Sequence, residues 1–134
     1  MKIIYDNQNN QIEIQDDMKS LLRAQRIVVT VVLVASFTKL YFINWQSINT
    51  YDYLFVVIFG VFVYFFIKNF FFKTSQSIIN LSDIKYLKKA KGVRSKAYLR
   101  LKNGKIREFS NITTRDEKID IPEKFRKAGV AIKI

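Results

Sequence analysis

The sequence predicts an α+β membrane protein, a two-helix transmembrane hairpin carrying a small antiparallel β-rich cytoplasmic domain built from both chain ends. Three observations carry that reading. Residues 27–43 and 53–72 are apolar, and each approaches the roughly 20 residues that a helix needs to cross a hydrocarbon core of about 30 Å. The nine residues between them contain no Lys or Arg, whereas basic residues crowd the far ends of both stretches. Since Lys and Arg mark the cytoplasmic side, both termini are expected there, at a bacterial inner membrane. Outside the two stretches, apolar residues alternate with the period of two that belongs to half-buried strands.

Composition narrows the chemistry. The net charge is +12, and most of it follows the second stretch, where residues 74–134 hold sixteen Lys or Arg against six Asp or Glu. A basic segment close below a bilayer feels anionic lipid at about 1 kcal/mol per nearby cation, although positive-inside bias and solubility account for the same charge. Nucleic acid is another partner for such charge, but no recognition-helix or RNA-binding motif is present and none is expected to bind. The chain has no Cys and no His. That excludes disulfides, Cys/His zinc sites, catalytic cysteines and Ser-His-Asp arrangements. The eleven acids are scattered or stand beside Lys and Arg, so no metal, cofactor or catalytic residue is expected.

From the N-terminus, residues 2–5 and 11–14 flank a polar turn, and Ile12 and Ile14 alternate with Gln11, Glu13 and Gln15. A lone two-stranded hairpin is marginal in water, so residues 1–17 are expected to join strands from the C-terminal part. The chain begins on this alternation with no short apolar run, and no signal peptide is expected. Asp16 or Asp17 can cap a helix starting near Met18. Met18, Leu21, Leu22 and Gln25 then share one face, with Lys19, Arg23 and Arg26 at the approach to the membrane.

Residues 18–73 form the expected membrane hairpin, with spans at about 27–43 and 53–72. The first span is rich in Val, and the hydroxyls of Thr30, Ser36 and Thr38 can bond the preceding turn. Lys39 lies four residues inside its outer end, where a charge is costly unless it reaches water or a partner. Snorkelling beside Tyr41 and Trp45 is the plainest use of it. A membrane charge pair with Asp52 is the second, and a base for Ser36, three residues earlier, is the third. Phe55, Phe59, Phe62 and Phe66 make one helical stripe that packs on the first span or faces lipid; axial His ligands for a haem are absent.

Residues 74–134 form the expected cytoplasmic domain. Strands are predicted at 77–79 and 81–87, then a basic loop at 88–96. A hairpin follows, formed by 97–101 and 106–109 across Lys102-Asn103-Gly104-Lys105. Asn-Gly between alternating runs predicts a type I′ turn, since both residues tolerate positive φ. Pro122 suits the first turn of a short helix over 123–128, closed by Gly129, and residues 130–134 alternate as a last strand. Strands from both chain ends are expected to close one cytoplasmic sheet.

This order of N-terminal strands, helical hairpin and compact β-rich tail resembles small bacterial two-span membrane proteins with a pleckstrin-homology-like cytoplasmic domain, including the YcxB-like group. The run Ile79-Asn80-Leu81-Ser82-Asp83-Ile84 is similar to their hydrophobic I-x-[LW]-x-D-I strand. Residues 98–109 resemble their following hairpin, and 123–134 a terminal helix-plus-strand, although a standard pleckstrin-like domain ends with a longer helix. The resemblance implies no catalytic residues.

The expected function is therefore non-enzymatic: an accessory or scaffold subunit of the inner membrane whose cytoplasmic β domain binds a protein partner or assembles with copies of itself. Two alternatives stay open. One is an immunity protein against a membrane-acting toxin. The other is an anionic-lipid-sensing domain. Lys85, Lys88, Lys89, Lys91, Arg94 and Lys96 are the candidate lipid- or partner-binding residues, and Lys39 with Asp52 the candidate membrane charge pair.

Overall fold

The computed structural model describes residues 2–89, 97–109 and 115–133, with the backbone alone for 115–118. Its elements run β1 (Lys2–Asp6), β2 (Gln11–Gln15), α1 (Met18–Tyr41), α2 (Thr50–Ile67) continued by a π-helical turn (Lys68–Phe72), β3 (Ile78–Asn80), β4 (Ile84–Lys88), β5 (Tyr98–Leu101), β6 (Ile106–Glu108), α3 (Arg115–Lys127) and β7 (Ile132–Lys133). Two units result: a helical hairpin, Leu22–Phe71, and an α+β unit made of Met1–Leu21 with Phe72–Ile134.

In the helical unit, α1 and α2 with its π-helical turn are long and apolar enough to cross a membrane. At 1.5 Å per residue they extend about 36 and 34 Å. Val29 and Ser36 on α1 and Ile43 just past its end are buried, with Val32, Leu33 and Leu40 half-buried between them. This is a 3.6-residue stripe. Phe55, Phe59, Phe62 and Phe66 are the half-buried stripe of α2, so the phenylalanine row faces α1, and Phe37 meets Phe59 at 6.2 Å between ring centroids. The hydroxyls of Thr30, Ser36 and Thr38 donate to the carbonyls of Arg26, Val32 and Val34 at 2.8, 2.8 and 2.9 Å. At the π-helical turn, Arg26 donates through Nε and Nη2 to the Asn69 carbonyl, at 3.2 and 3.0 Å. A π turn disturbs the regular backbone ladder, and this guanidinium supplies donors there.

The α+β unit differs from the single antiparallel sheet that the alternation suggests. It has two sheets, ordered β1-β2-β3 and β6-β5-β4-β7, and the β4–β7 pair is parallel. The expected strand over 81–87 is interrupted by a 3-10 turn at Leu81–Asp83. Leu81 N–H donates to the Asn10 carbonyl at 2.9 Å and closes the first sheet, while Lys102 N–H donates to the Asp83 carbonyl at 2.8 Å and opens the second. A parallel neighbour needs a long crossover, and α3 lies within the connection that returns the chain as β7.

Both sheets and α3 share one core. Ile12, Ile14 and Ile79 come from the first sheet, Leu87, Leu99 and Leu101 from the second, and Ile121 and Phe125 from α3. Helix α3 starts at Arg115, not at residue 123, and carries Pro122 inside it. An interior proline costs about 3 kcal/mol. Burying Ile121 and Phe125, one turn apart, returns roughly 1.5–3 kcal/mol each, which offsets that penalty. Gly129, at φ +77, ends the helix: its N–H bonds the Arg126 carbonyl and Val130 N–H bonds Phe125, both at 3.0 Å, the double closure of a Schellman motif. The Asn103-Gly104 turn is also of another type than expected. Only Gly104, at φ +83, has positive φ there, and Gly104 N–H bonds the Leu101 carbonyl at 3.1 Å. That is a type I turn followed by a glycine bulge; the Asn103 side chain accepts Lys105 N–H at 3.0 Å.

One side chain ties the distant parts of this unit together. Arg107, on β6, is 1% exposed and meets Asp16, 2% exposed, through Nη2–Oδ1 at 2.6 Å and Nη1–Oδ2 at 3.3 Å. Its Nε donates to the Gln76 carbonyl at 2.9 Å, and Nη1 also donates to the Glu108 carbonyl. Asp16 in turn accepts Met18 N–H at 3.2 Å, at the start of α1. Beside this cluster, Thr74 N–H donates to the Ile106 carbonyl at 3.0 Å, and Lys73 pairs with Glu108 at 3.0 Å. Removing one member of a buried pair strands the other charge, at roughly 3–5 kcal/mol. Arg107→Met and Asp16→Leu should each lower the unfolding free energy by about that much, and the double variant should lose much less than their sum. A double-mutant cycle from denaturant unfolding in detergent checks this; additive losses would show that the pair is not coupled.

The β1–β2 turn rests on Asp6, whose carboxylate accepts the Asn9 amide at 2.8 Å and the N–H groups of Gln8 and Asn9 at 2.9 and 3.3 Å. The Asn9 side chain first, then these two backbone donors, hold the Asp6 carboxyl below its ordinary value. The resulting stabilisation is present above the unfolded pKa and lost as pH falls through the lowered folded value. Carboxyl NMR titration should show Asp6 titrating below an unfolded-peptide Asp, with Asn9→Ala moving it back up.

Candidate functional site

Alternation on the second sheet sends Leu87, Leu99, Leu101 and Arg107 inward. Its outer face then presents Tyr86 and Lys88 from β4, Tyr98 and Arg100 from β5, and Lys133 from β7. The Lys88 ammonium stands 5.8 Å from the Tyr98 ring centroid and that of Lys133 4.7 Å from Tyr86. Cross-strand register places Lys88 opposite both Tyr98 and Lys133, and Tyr86 opposite Arg100. The result is a face of cations laid on tyrosine rings.

Two grooves flank α3. One, of 210 Å³, is lined by Lys89, Ile119, Pro122, Glu123, Arg126 and Ile132. The other, of 280 Å³, lies between α3 and the first sheet, lined by Ile3, Tyr5 and Ile12 on one side and Lys124, Phe125, Lys127 and Ala128 on the other. Phe125 is fully buried while Tyr5 is 42% exposed, so this groove has an apolar floor and two lysines at its rim. Lys124 pairs with Asp120 at 2.7 Å, both about half-exposed. Among the described residues, no group of three or more His, Cys, Asp or Glu converges to hold a metal.

Of the six basic residues expected to bind lipid or a partner, Lys85, Lys88 and Lys89 are among the described residues. Lys91, Arg94 and Lys96 lie outside the described residues. Lys85 is exposed at the register shift between Ile84 and Tyr86, Lys88 belongs to the tyrosine face, and Lys89 lines the smaller groove. Lys88 shares its face with Tyr86, Tyr98, Arg100 and Lys133, a grouping that a charge run along the chain does not reveal. The period-two pattern of Tyr98-Leu99-Arg100-Leu101 carried the signal.

No known protein family, curated protein or solved structure matches the chain.

Lys39 and Asp52, the candidate charge pair, have separate partners. The Lys39 ammonium stands 5.9 Å from the Phe55 ring centroid, and the Asp52 carboxylate accepts Asn49 N–H at 3.0 Å. A carboxylate in the first turn of α2 completes orphan backbone donors and complements the helix dipole, which is why Asp52 closes its own helix. Ser36 is committed to the Val32 carbonyl, so a Ser36/Lys39 dyad is not formed.

The tyrosine-face cations are peripheral to the core, unlike Arg107. An exposed cation–π contact contributes about 0.5–1 kcal/mol. Lys88→Gln and Lys133→Gln should each change stability by no more than about 1 kcal/mol in thermal unfolding. A larger loss would mean that these lysines are structural.

Proposed function

We propose that the chain is a non-enzymatic integral membrane protein that holds a protein partner at the cytoplasmic face of a bacterial inner membrane. Support for the membrane hairpin comes from the outer faces of α1 and α2, where large apolar side chains such as Val31, Val34, Leu54, Val57 and Phe71 are exposed. A core helix of a water-soluble protein would bury such a surface, and lipid covers it without cost. The distribution of Lys and Arg supports cytoplasmic termini.

The observation that carries the partner reading is the 280 Å³ groove beside β1, an outer strand of its sheet among the described residues. An apolar floor beside an open strand edge suits recognition of another polypeptide. Crosslinking followed by mild-detergent purification of the tagged full-length protein should bring a stoichiometric foreign protein. Ala128→Trp, which fills the groove, should release it while leaving membrane extraction unchanged. Partner retention by residues 18–73 alone would contradict the reading.

A second reading has its own observation, the cations Lys88, Arg100 and Lys133 on the tyrosine face. Three such cations near anionic headgroups would gain about 1 kcal/mol each. In nanodiscs of phosphatidylglycerol against phosphatidylcholine, hydrogen exchange of β4 and β5 should slow in the anionic lipid if this face binds it. Equal exchange in both lipids rules it out.

A further inference from the structure

The groove and the edge of β1 together specify what kind of chain can dock. The bonds Leu81 N–H to Asn10 carbonyl and Ile14 N–H to Ser77 carbonyl show that the even residues of β2 point their backbone groups at β3. By the alternation of antiparallel ladders, Gln11, Glu13 and Gln15 then point theirs at β1. Their register partners are Asp6, Ile4 and Lys2, which leaves the N–H and carbonyl of Ile3 and Tyr5 directed at the open edge. The side chains of the same two residues line the 280 Å³ groove. Backbone donors and acceptors for a further strand therefore stand at the very residues whose side chains wall the apolar cavity.

The geometry points to an extended acidic peptide as the occupant, added as a strand to β1; this rests on the reading that the unit holds a protein partner. Peptide residues opposite Ile3 and Tyr5 exchange backbone hydrogen bonds with them and project into the groove, so apolar side chains are required at two positions with one residue between. The charge requirement is independent. The two ionised side chains lining the groove, Lys124 and Lys127, are both basic, and Lys127 makes no ion pair among the described residues. Lys124 holds Asp120 only through a half-exposed pair, worth less than about 1 kcal/mol and exchangeable for a peptide carboxylate. A second copy of this chain, at net charge +12, would bring like charge to the same rim. A carboxylate-bearing strand avoids that repulsion and is drawn inward by the basic rim.

The probe is a fluorescein-labelled octapeptide, Glu-Ser-Val-Ser-Val-Ser-Glu-Ser, whose Val and Glu side chains share the groove face, titrated by anisotropy against the full-length protein in phosphatidylcholine nanodiscs. N-methylation of two central Val residues, whose N–H groups face β1, should weaken binding about tenfold. N-methylation of two internal Ser residues, whose N–H groups face away from β1, should weaken it less than about threefold. Tyr5→Pro removes an outward donor while leaving the β1–β2 ladder, and should reproduce the tenfold loss; Lys124→Gln with Lys127→Gln should cost about fivefold. No binding of the octapeptide, or equal effects of the two methylation patterns, overturns the proposal, even if Tyr5→Pro fails to fold. Benzoylphenylalanine at Tyr5 and at Tyr98 in cells separates this from the broader reading. A foreign protein captured from Tyr98 alone overturns the groove proposal and leaves a partner elsewhere. Capture of a second copy from Tyr5 overturns the acidic occupant, and capture from neither site overturns both readings.

Discussion

The buried pair between Asp16 and Arg107 is the constraint on which the α+β unit depends. Ninety-one positions apart in sequence, the two residues meet in a bidentate bond with almost no access to water. Pairs of this kind rarely add net stability, because desolvating both charges consumes most of the Coulomb gain. What such a pair does supply is a penalty for every alternative arrangement. Asp16 stands two residues before α1, and the Gln76 carbonyl, also held by Arg107, two residues before β3. The segments on either side of the helical hairpin are thereby fastened to one strand of the second sheet. If β6 slipped by one residue, Arg107 would turn outward and two charges and a carbonyl would lose their partners.

That fastening explains how a small β unit can be assembled from an interrupted chain. The N-terminal hairpin has few apolar residues of its own, and the tail supplies most of the core. Together they bring Ile12, Ile14 and Ile79 onto the same core as Leu87, Leu99, Phe109 and Phe125. The helical unit is organised on another principle. Its contacts are a valine-and-serine stripe against a phenylalanine stripe, with Arg26 supplying donors at the π-helical turn and Asp52 closing the start of α2. Arg26 and Asp52 satisfy backbone groups there, and Lys39 rests on the Phe55 ring.

How much of this was legible follows from which interactions are local. The two long apolar helices could be read from length and composition, because the requirement lies in consecutive residues. The strands of β1, β2 and β5 could be read from alternation, and the end of α3 from Gly129. The split into two sheets could not, since it depends on Leu81 reaching Asn10 and Asp83 reaching Lys102, contacts without a sequence signature. The start of α3 was hidden by Pro122, whose local penalty is overridden by burial of Ile121 and Phe125. The placement of the described lysines was hidden for the same reason: strand alternation and a register shift send Lys85, Lys88 and Lys89 to three places. Arg107 read as one more surface cation, and only its position between Leu101 and Phe109, on the inward side of a short strand, hinted otherwise.

In the proposed topology, the α+β unit, drawn from both chain ends, lies on one side of a membrane that α1 and α2 cross. The chain has no cysteine, so single cysteines report without background. Ser47→Cys, between the helices, should react with a membrane-impermeant maleimide in intact spheroplasts. Gln8→Cys and Lys102→Cys should react only after permeabilisation. Labelling of all three in intact spheroplasts, or of none but Lys102→Cys, would contradict a hairpin that spans the bilayer with both ends on the same side.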